Sequence, residues 1–173
     1  MPGGKMIKYQ LVILLAGLLV WPAAVYADSA TDAFRALKKL EARTQAGISP
    51  RDYAPALGDA KFDVNMFVQG KEAKQHPQLA AHIQRAMDCY DAVGLLAGHR
   101  SPTSRGGLVL LGHPDNAAVK QVVERFPQIG QDENLGGAVS DGPNGFLDVA
   151  IAARLLWAEA SKELQAAQAL LQK

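Results

Sequence analysis

A single cysteine, Cys89, in a chain of 173 residues leaves no partner for an internal disulfide, and it also excludes the paired-cysteine attachment of a c-type haem. The thiol is either buried and inert or free to pair between chains. Free cysteines behave as small hydrophobes, which favours burial. Excess charge of one sign is missing too, with 18 basic against 17 acidic residues. Nucleic-acid binders concentrate a basic excess on one face, so this composition speaks against a nucleic-acid partner and against an electrostatic membrane partner.

No apolar run is long enough to cross a bilayer. Leu11–Val20 is about half of the roughly 20 residues a spanning helix needs. Its surroundings give it another meaning. Lys5 and Lys8 precede it, Pro22 and small residues follow, and Val25 and Ala27 stand at the −3 and −1 places of a signal-peptidase site. The expectation is a signal peptide over 1–27, cleaved after Ala27, and export of a mature chain that keeps no membrane span. No cysteine lies near that junction to carry a lipid. Cleavage leaves 146 residues, enough for one helical domain over 28–173 with its own core. It also takes away two lysines, so 16 basic residues face 17 acidic ones. The expected location is periplasmic or secreted.

The catalytic motifs with a clear mechanism are likewise missing. The four histidines, His76, His82, His99 and His113, include no pair at i and i+4 and no H-E-x-x-H, so a zinc hydrolase has no local support. There is no G-x-S-x-G elbow and no G-x-x-x-x-G-K-[ST] phosphate loop. His99, Ser101 and Ser104 lie close in "GHRSPTSRGG", but closeness in sequence is not triad geometry, and a serine- and glycine-rich loop accounts for them. Asp59 and Asp63 stand four apart on a helix without the Glu-x-x-His of bundle di-metal sites, which makes a polar face the simpler account.

The acidic stretch Asp132–Asp148, "DENLGGAVSDGPNGFLD", fails as a calcium loop. From Asp132, position 5 is Gly136 and position 12 is Pro143; from Asp141, positions 3 and 5 are Pro143 and Gly145. Turn-forming residues at this density mark a connector, with Asn144-Gly145 leading into the last helix.

What remains is helical periodicity. Phe34, Leu37, Leu40, Thr44 and Ile48 trace a first face, with Ser29, Thr31 or Asp32 as cap and Gly47 as stop. Arg35, Lys38, Lys39, Glu41 and Arg43 fill its solvated side. Ser49-Pro50 opens a second helix carrying Tyr53, Leu57, Ala60, Val64 and Phe67. The first two helices are joined by a short turn and so should form an antiparallel hairpin. Leu79, Ile83, Ala86, Tyr90, Val93 and Ala97 mark the third, ending at Gly98, with His82 at the stripe's edge.

Leu108–Leu111 is too short to separate strand from helix, and a lone strand has no partner. The region is therefore expected to be helix and loop, with Asp115 or Asn116 capping a short helix through Phe126. A last long helix carries Phe146, Val149, Ala153, Leu156, Ala160, Leu164, Ala167 and Leu171, with Glu159, Lys162 and Glu163 outside. Tyr90 and Trp157 could line a pocket between helices, though aromatics at helical spacing more often belong to the core. The expected fold is all-α: a four-helix bundle-like core, a short extra helix and a Gly/Pro-rich connector.

The run "ALKKLEARTQAGISPRDYAPALGDAKFDVNMF", Ala36–Phe67, resembles the opening hairpin of small exported bacterial proteins of unknown function. In these, L-x-x-L-x-x-x-T-x-x-G-I-S leads into Y-x-x-x-L-x-D-A-K; "LLWAEASKELQAAQALL" is similar to their closing helix. The resemblance implies an all-α bundle and no catalytic residues. No catalytic, cofactor-binding or metal residue is assigned, and no cofactor is expected. The expected function is non-catalytic, binding a protein or small ligand at a helical face or interhelical groove. The alternative is a metal-binding protein or an enzyme assembled from scattered residues such as His82, His99, His113 and Asp59.

Overall fold

The computed structural model describes residues 29–99, 107–130, 139–140 and 145–172. In chain order the helices are α1 (Ser29–Gln45), α2 (Pro50–Val68), α3 (Lys71–Gln75), α4 (Pro77–Gly98), α5 (Ala117–Arg125) and α6 (Val149–Leu171). Three short strands, β1 (Leu108–Leu110), β2 (Val139–Ser140) and β3 (Phe146–Asp148), lie between α4 and α6. The class is all-α, and α1, α2, α4 and α6 form a four-helix core.

Local sequence explains the helix ends. Ser49 Oγ accepts the Asp52 N–H at 3.2 Å, and Pro50, which has no N–H to leave unbonded, occupies the first helical position. Gly47 adopts φ 87, the left-handed conformation that closes α1, and its N–H bonds the Thr44 carbonyl. Asp148 caps α6, its Oδ1 accepting the N–H groups of Ala150 and Ile151 at 2.9 and 3.0 Å.

Helix α4 packs most extensively on α6, α1 on α2, and α2 on α4; α1 against α6 closes the ring. Neighbours run antiparallel. On α4, His82 meets Glu163 late on α6, whereas Val93 and Ala97 face its beginning at Val149 and Ala153. At Gly94 the Leu57 side chain of α2 packs onto α4, and a Cβ there would stand 2.7 Å from Leu57 Cδ2. One contiguous core includes Leu37, Leu40, Val64, Phe67, Ile83, Tyr90, Leu156 and Leu164. A fully buried aliphatic side chain of this kind stabilises by about 1.5–3 kcal/mol relative to an exposed one.

Several local readings are corrected by the tertiary structure. The Leu108 region is not helix and loop. Leu108–Leu110 pairs antiparallel with Phe146–Asp148, which also pairs with Val139–Ser140, giving the order β1-β3-β2. Phe146 therefore belongs to a strand, and α6 starts three residues later. A helix would place the same residue on the Val149 stripe, so the spacing could not separate the two. Ala97, assigned to the α4 stripe, is exposed, because it lies beyond the end of the core. Asn116 stands at the N-cap of the short helix as expected, but its side chain makes no cap bond there. His113 Nδ1 accepts the Asp115 N–H at 3.3 Å, and a 3-10 turn, Pro114–Asn116, leads into α5.

Glu41 and Glu163, placed on solvated faces by periodicity, are only 7% and 8% exposed. Glu41 pairs with Lys38 and accepts the Ser161 hydroxyl at 2.6 Å, which ties α1 to α6. Glu163 Oε2 meets His82 Nδ1 at 2.5 Å, with Arg85 at 3.8 Å from its other oxygen. A bundle helix has neighbours on two sides, so burial spreads past one stripe and takes in the stems of long polar side chains. Cys89, as expected, is buried.

Candidate functional site

At the end of the bundle where α2 and α6 begin and α4 finishes, the helices part around a cleft of ≈ 250 Å³. This is just below the usual range of small-ligand pockets and equals about eight waters of liquid volume. Ile48 and Pro50 enter from the α1–α2 turn, and Tyr53 from the first turn of α2. Val93 and Ala97 come from α4, Gly107 from the approach to β1, and Val149, Ala150, Ala153 and Trp157 from α6. The Ser49–Pro50 start fixes where Tyr53 falls. The Asp148 cap starts α6 so that Val149, Ala153 and Trp157 repeat every four residues along the cleft. The space exists because Ala97, Gly107, Ala150 and Ala153 are small.

Among the described residues, no charged side chain lines this cleft. Its polar atoms are turned inward. The Tyr53 hydroxyl donates to the Tyr90 carbonyl at 2.8 Å. The Trp157 indole N–H lies beside the Tyr53 hydroxyl without closing a hydrogen bond to it. Burial pushes the Tyr53 phenol far above the ordinary tyrosine range, and Asp91 adds to the effect, so Tyr53 stays a neutral donor. Tyr90 is likewise held neutral, first by burial and then by the charge of Glu41.

Pro50, Tyr53 and Ala97 also line a larger groove of ≈ 720 Å³ between α2 and α4. Ala54, Leu57, Gly94, Leu95 and Gly98 give that groove an apolar floor and walls, and Ser49, Arg51 and Asp91 supply its polar rim. Lys61 bonds Asp91 at 2.6 Å.

The scattered polar residues singled out by sequence are not brought together. His82 is bound to Glu163. His99 Nε2 donates to Asn116 Oδ1 at 2.6 Å, and Asn116, fully buried, donates in turn to the Leu110 carbonyl at 2.7 Å. His113 caps the 3-10 turn beside Asp115. Asp59 lines a groove between α1 and α2 with Asp63, Arg35, Lys39 and Arg43. Among the described residues, no three His, Cys, Asp or Glu side chains converge as a metal-ligand set. His76 begins α4 ahead of Pro77. Ser101, Ser104 and most of Asp132–Asp148 lie outside the described residues; of that stretch, Asp148 serves as the α6 cap.

Of the pair Tyr90 and Trp157, only Trp157 lines the cleft; Tyr90 is in the core. The cleft's small residues escaped sequence reasoning because Ala97 and Ala153 look like ordinary stripe positions. The one available signal is Pro50 close to Tyr53, which places an aromatic in the first turn of a helix that follows a tight turn.

Fold and site together define an all-α four-helix bundle with an apolar cleft at one end, and among the described residues no helix is long and apolar enough to cross a membrane. Compared with known proteins, the chain matches no family model, no curated protein and no solved structure.

Proposed function

We propose that this chain is an exported, non-catalytic binding protein whose working surface is the apolar cleft bounded by α2, α4 and α6. The observation that carries this reading is the lining itself: ten residues from four parts of the chain, none charged, around a space their own side chains leave open. Concave, mostly apolar sites with few polar groups are the usual form of small-molecule sites. The same lining offers no nucleophile, general base or electrophile, so it binds and does not react. Export rests on Lys5, Lys8 and the apolar Leu11–Val20, with release at Asp28 in the periplasm or outside the cell.

A solvatochromic naphthylamine dye tests the cleft. Its emission should rise on binding, and Ala150→Trp, a change at an exposed residue on the cleft rim, should abolish the rise. Unchanged dye binding in that variant would remove the cleft from the function. The intact mass of exported protein tests export and should correspond to a chain starting at Asp28; retention of Lys5 and Lys8 in a membrane fraction would refute it. No observation favours the alternative built on His82, His99, His113 and Asp59, since the three histidines each bond a different neighbour.

A further inference from the structure

We propose that a second copy of this chain docks on the outer face of α1 and α2, in a dimer whose twofold axis runs parallel to the two helices. The proposal goes beyond the binding reading, since none of the residues that carry it lines the cleft. On α1, Arg35, Lys39 and Arg43 recur every four residues and form a basic ridge; on α2, Asp59 and Asp63 repeat that spacing as an acidic one. The two ridges border one groove of ≈ 310 Å³. Arg35 pairs with Asp32 on its own helix at 3.8 Å, whereas among the described residues Lys39, Arg43, Asp59 and Asp63 close no ion pair. Phe62 and Met66 share the face of the acidic ridge, three and four residues from its aspartates. At 66% and 61% they are the most exposed large hydrophobic side chains among the described residues.

Charge decides the occupant. With Asp32 included, three basic and three acidic side chains line the groove, so a partner of one sign meets as much repulsion as attraction. The pattern fits a surface that carries the same two ridges with their sides exchanged. A second copy turned about a twofold axis parallel to the helices presents that surface: sides are exchanged, position along the axis is kept, and each α1 lies over the other copy's α2. The basic and acidic ridges then meet at the same level, because both border one groove. A twofold axis across the helices would instead set basic ridge on basic ridge. Pairing of this isologous kind is the commonest form of oligomer. The aliphatic stems of the copy's arginines and lysine cover Phe62 and Met66 while their charged ends reach the aspartates.

Analytical ultracentrifugation of the purified protein tests the face. The unaltered chain should dimerise, with a dissociation constant that rises about tenfold between about 50 and 500 mM salt, as exposed ion pairs are screened. Lys39→Glu with Arg43→Glu leaves both ridges net acidic, and Asp59→Lys with Asp63→Lys leaves both basic. Each double variant alone should be a monomer. An equimolar mixture of the two should form a one-to-one dimer, because each α1 again meets the opposite charge on the other chain's α2. Phe62→Ser in both members should abolish that dimer, which separates a docked face from simple attraction between oppositely charged proteins. Thermal melts confirm that each variant folds. A monomeric unaltered protein at about 1 mM would overturn the proposal. So would a dimer of either double variant alone, a mixture that stays monomeric, or a mixed dimer indifferent to Phe62→Ser. Dye binding at the cleft is read separately and is unaffected by any of these outcomes.

Discussion

Replacing Tyr90 with phenylalanine should stabilise the protein, whereas the same change at Tyr53 should weaken it. Both rings are buried, but only the Tyr53 hydroxyl is bonded, to the Tyr90 carbonyl at 2.8 Å; the Tyr90 hydroxyl has no partner among the described residues. In the unfolded chain each hydroxyl bonds water. Folding strips that water from Tyr90 without replacing it, a cost of about 1–3 kcal/mol in proteins. Tyr90→Phe keeps the ring and removes the orphan, so it should gain about that amount. Tyr53→Phe loses a made hydrogen bond and should cost about 0.5–1.5 kcal/mol.

Urea melts of the two variants and of the double variant give the comparison, with an unchanged slope showing that the unfolded state is not altered. Because Tyr53 bonds the backbone of Tyr90 and not its side chain, the double variant should be close to additive. A loss of about 1 kcal/mol or more in Tyr90→Phe would refute the reasoning. It would mean that the hydroxyl is satisfied in solution, through Glu41 or a buried water.

Ile83→Ala should cost about 2–5 kcal/mol, since Ile83 is fully buried in α4, while Gln84→Ala one step round the helix should stay within about 0.5 kcal/mol in the same melts. Equal losses would sink the facing of α4. Asp148→Ala should cost about 0.5–2 kcal/mol, because two N–H groups at the start of α6 lose their acceptor; a neutral result in thermal melts would remove the cap. Burial pushes the Cys89 thiol from its ordinary 9.0 up to about 12, so the unfolded chain releases this proton first. Stability from this group is complete below pH 9 and is lost as pH rises towards 12, at up to about 1.4 kcal/mol per pH unit. Melts across that range should show the slope, to which the buried Tyr53 and Tyr90 also contribute as unfolded tyrosines ionise towards pH 10, and Cys89→Ala should remove the thiol's share, the larger part near pH 9. The thiol should react with maleimide slowly in the native protein and fast in denaturant; fast native labelling would contradict its burial.

Sequence alone determined the parts of this protein that depend on neighbours three or four residues away. The stripes Leu37–Leu40–Thr44, Tyr53–Ala60–Val64–Phe67 and Leu79–Ile83–Ala86–Tyr90–Val93 all face the core, and the Ser49-Pro50 start and the Gly47 stop are where their side chains and φ preferences require. Those signals are local, and helices record them every turn. Tertiary structure alone decided the rest. Strand β3 exists because β1 is there to pair with it, and three residues carry too little periodicity to announce either. Glu41 and Glu163 are buried because Ser161 and His82 come from other helices to meet them. The cleft was the least legible of all. It is a space left between α2, α4 and α6 where small side chains meet, and a residue's absence of bulk acquires meaning only when its neighbours across the bundle are in place.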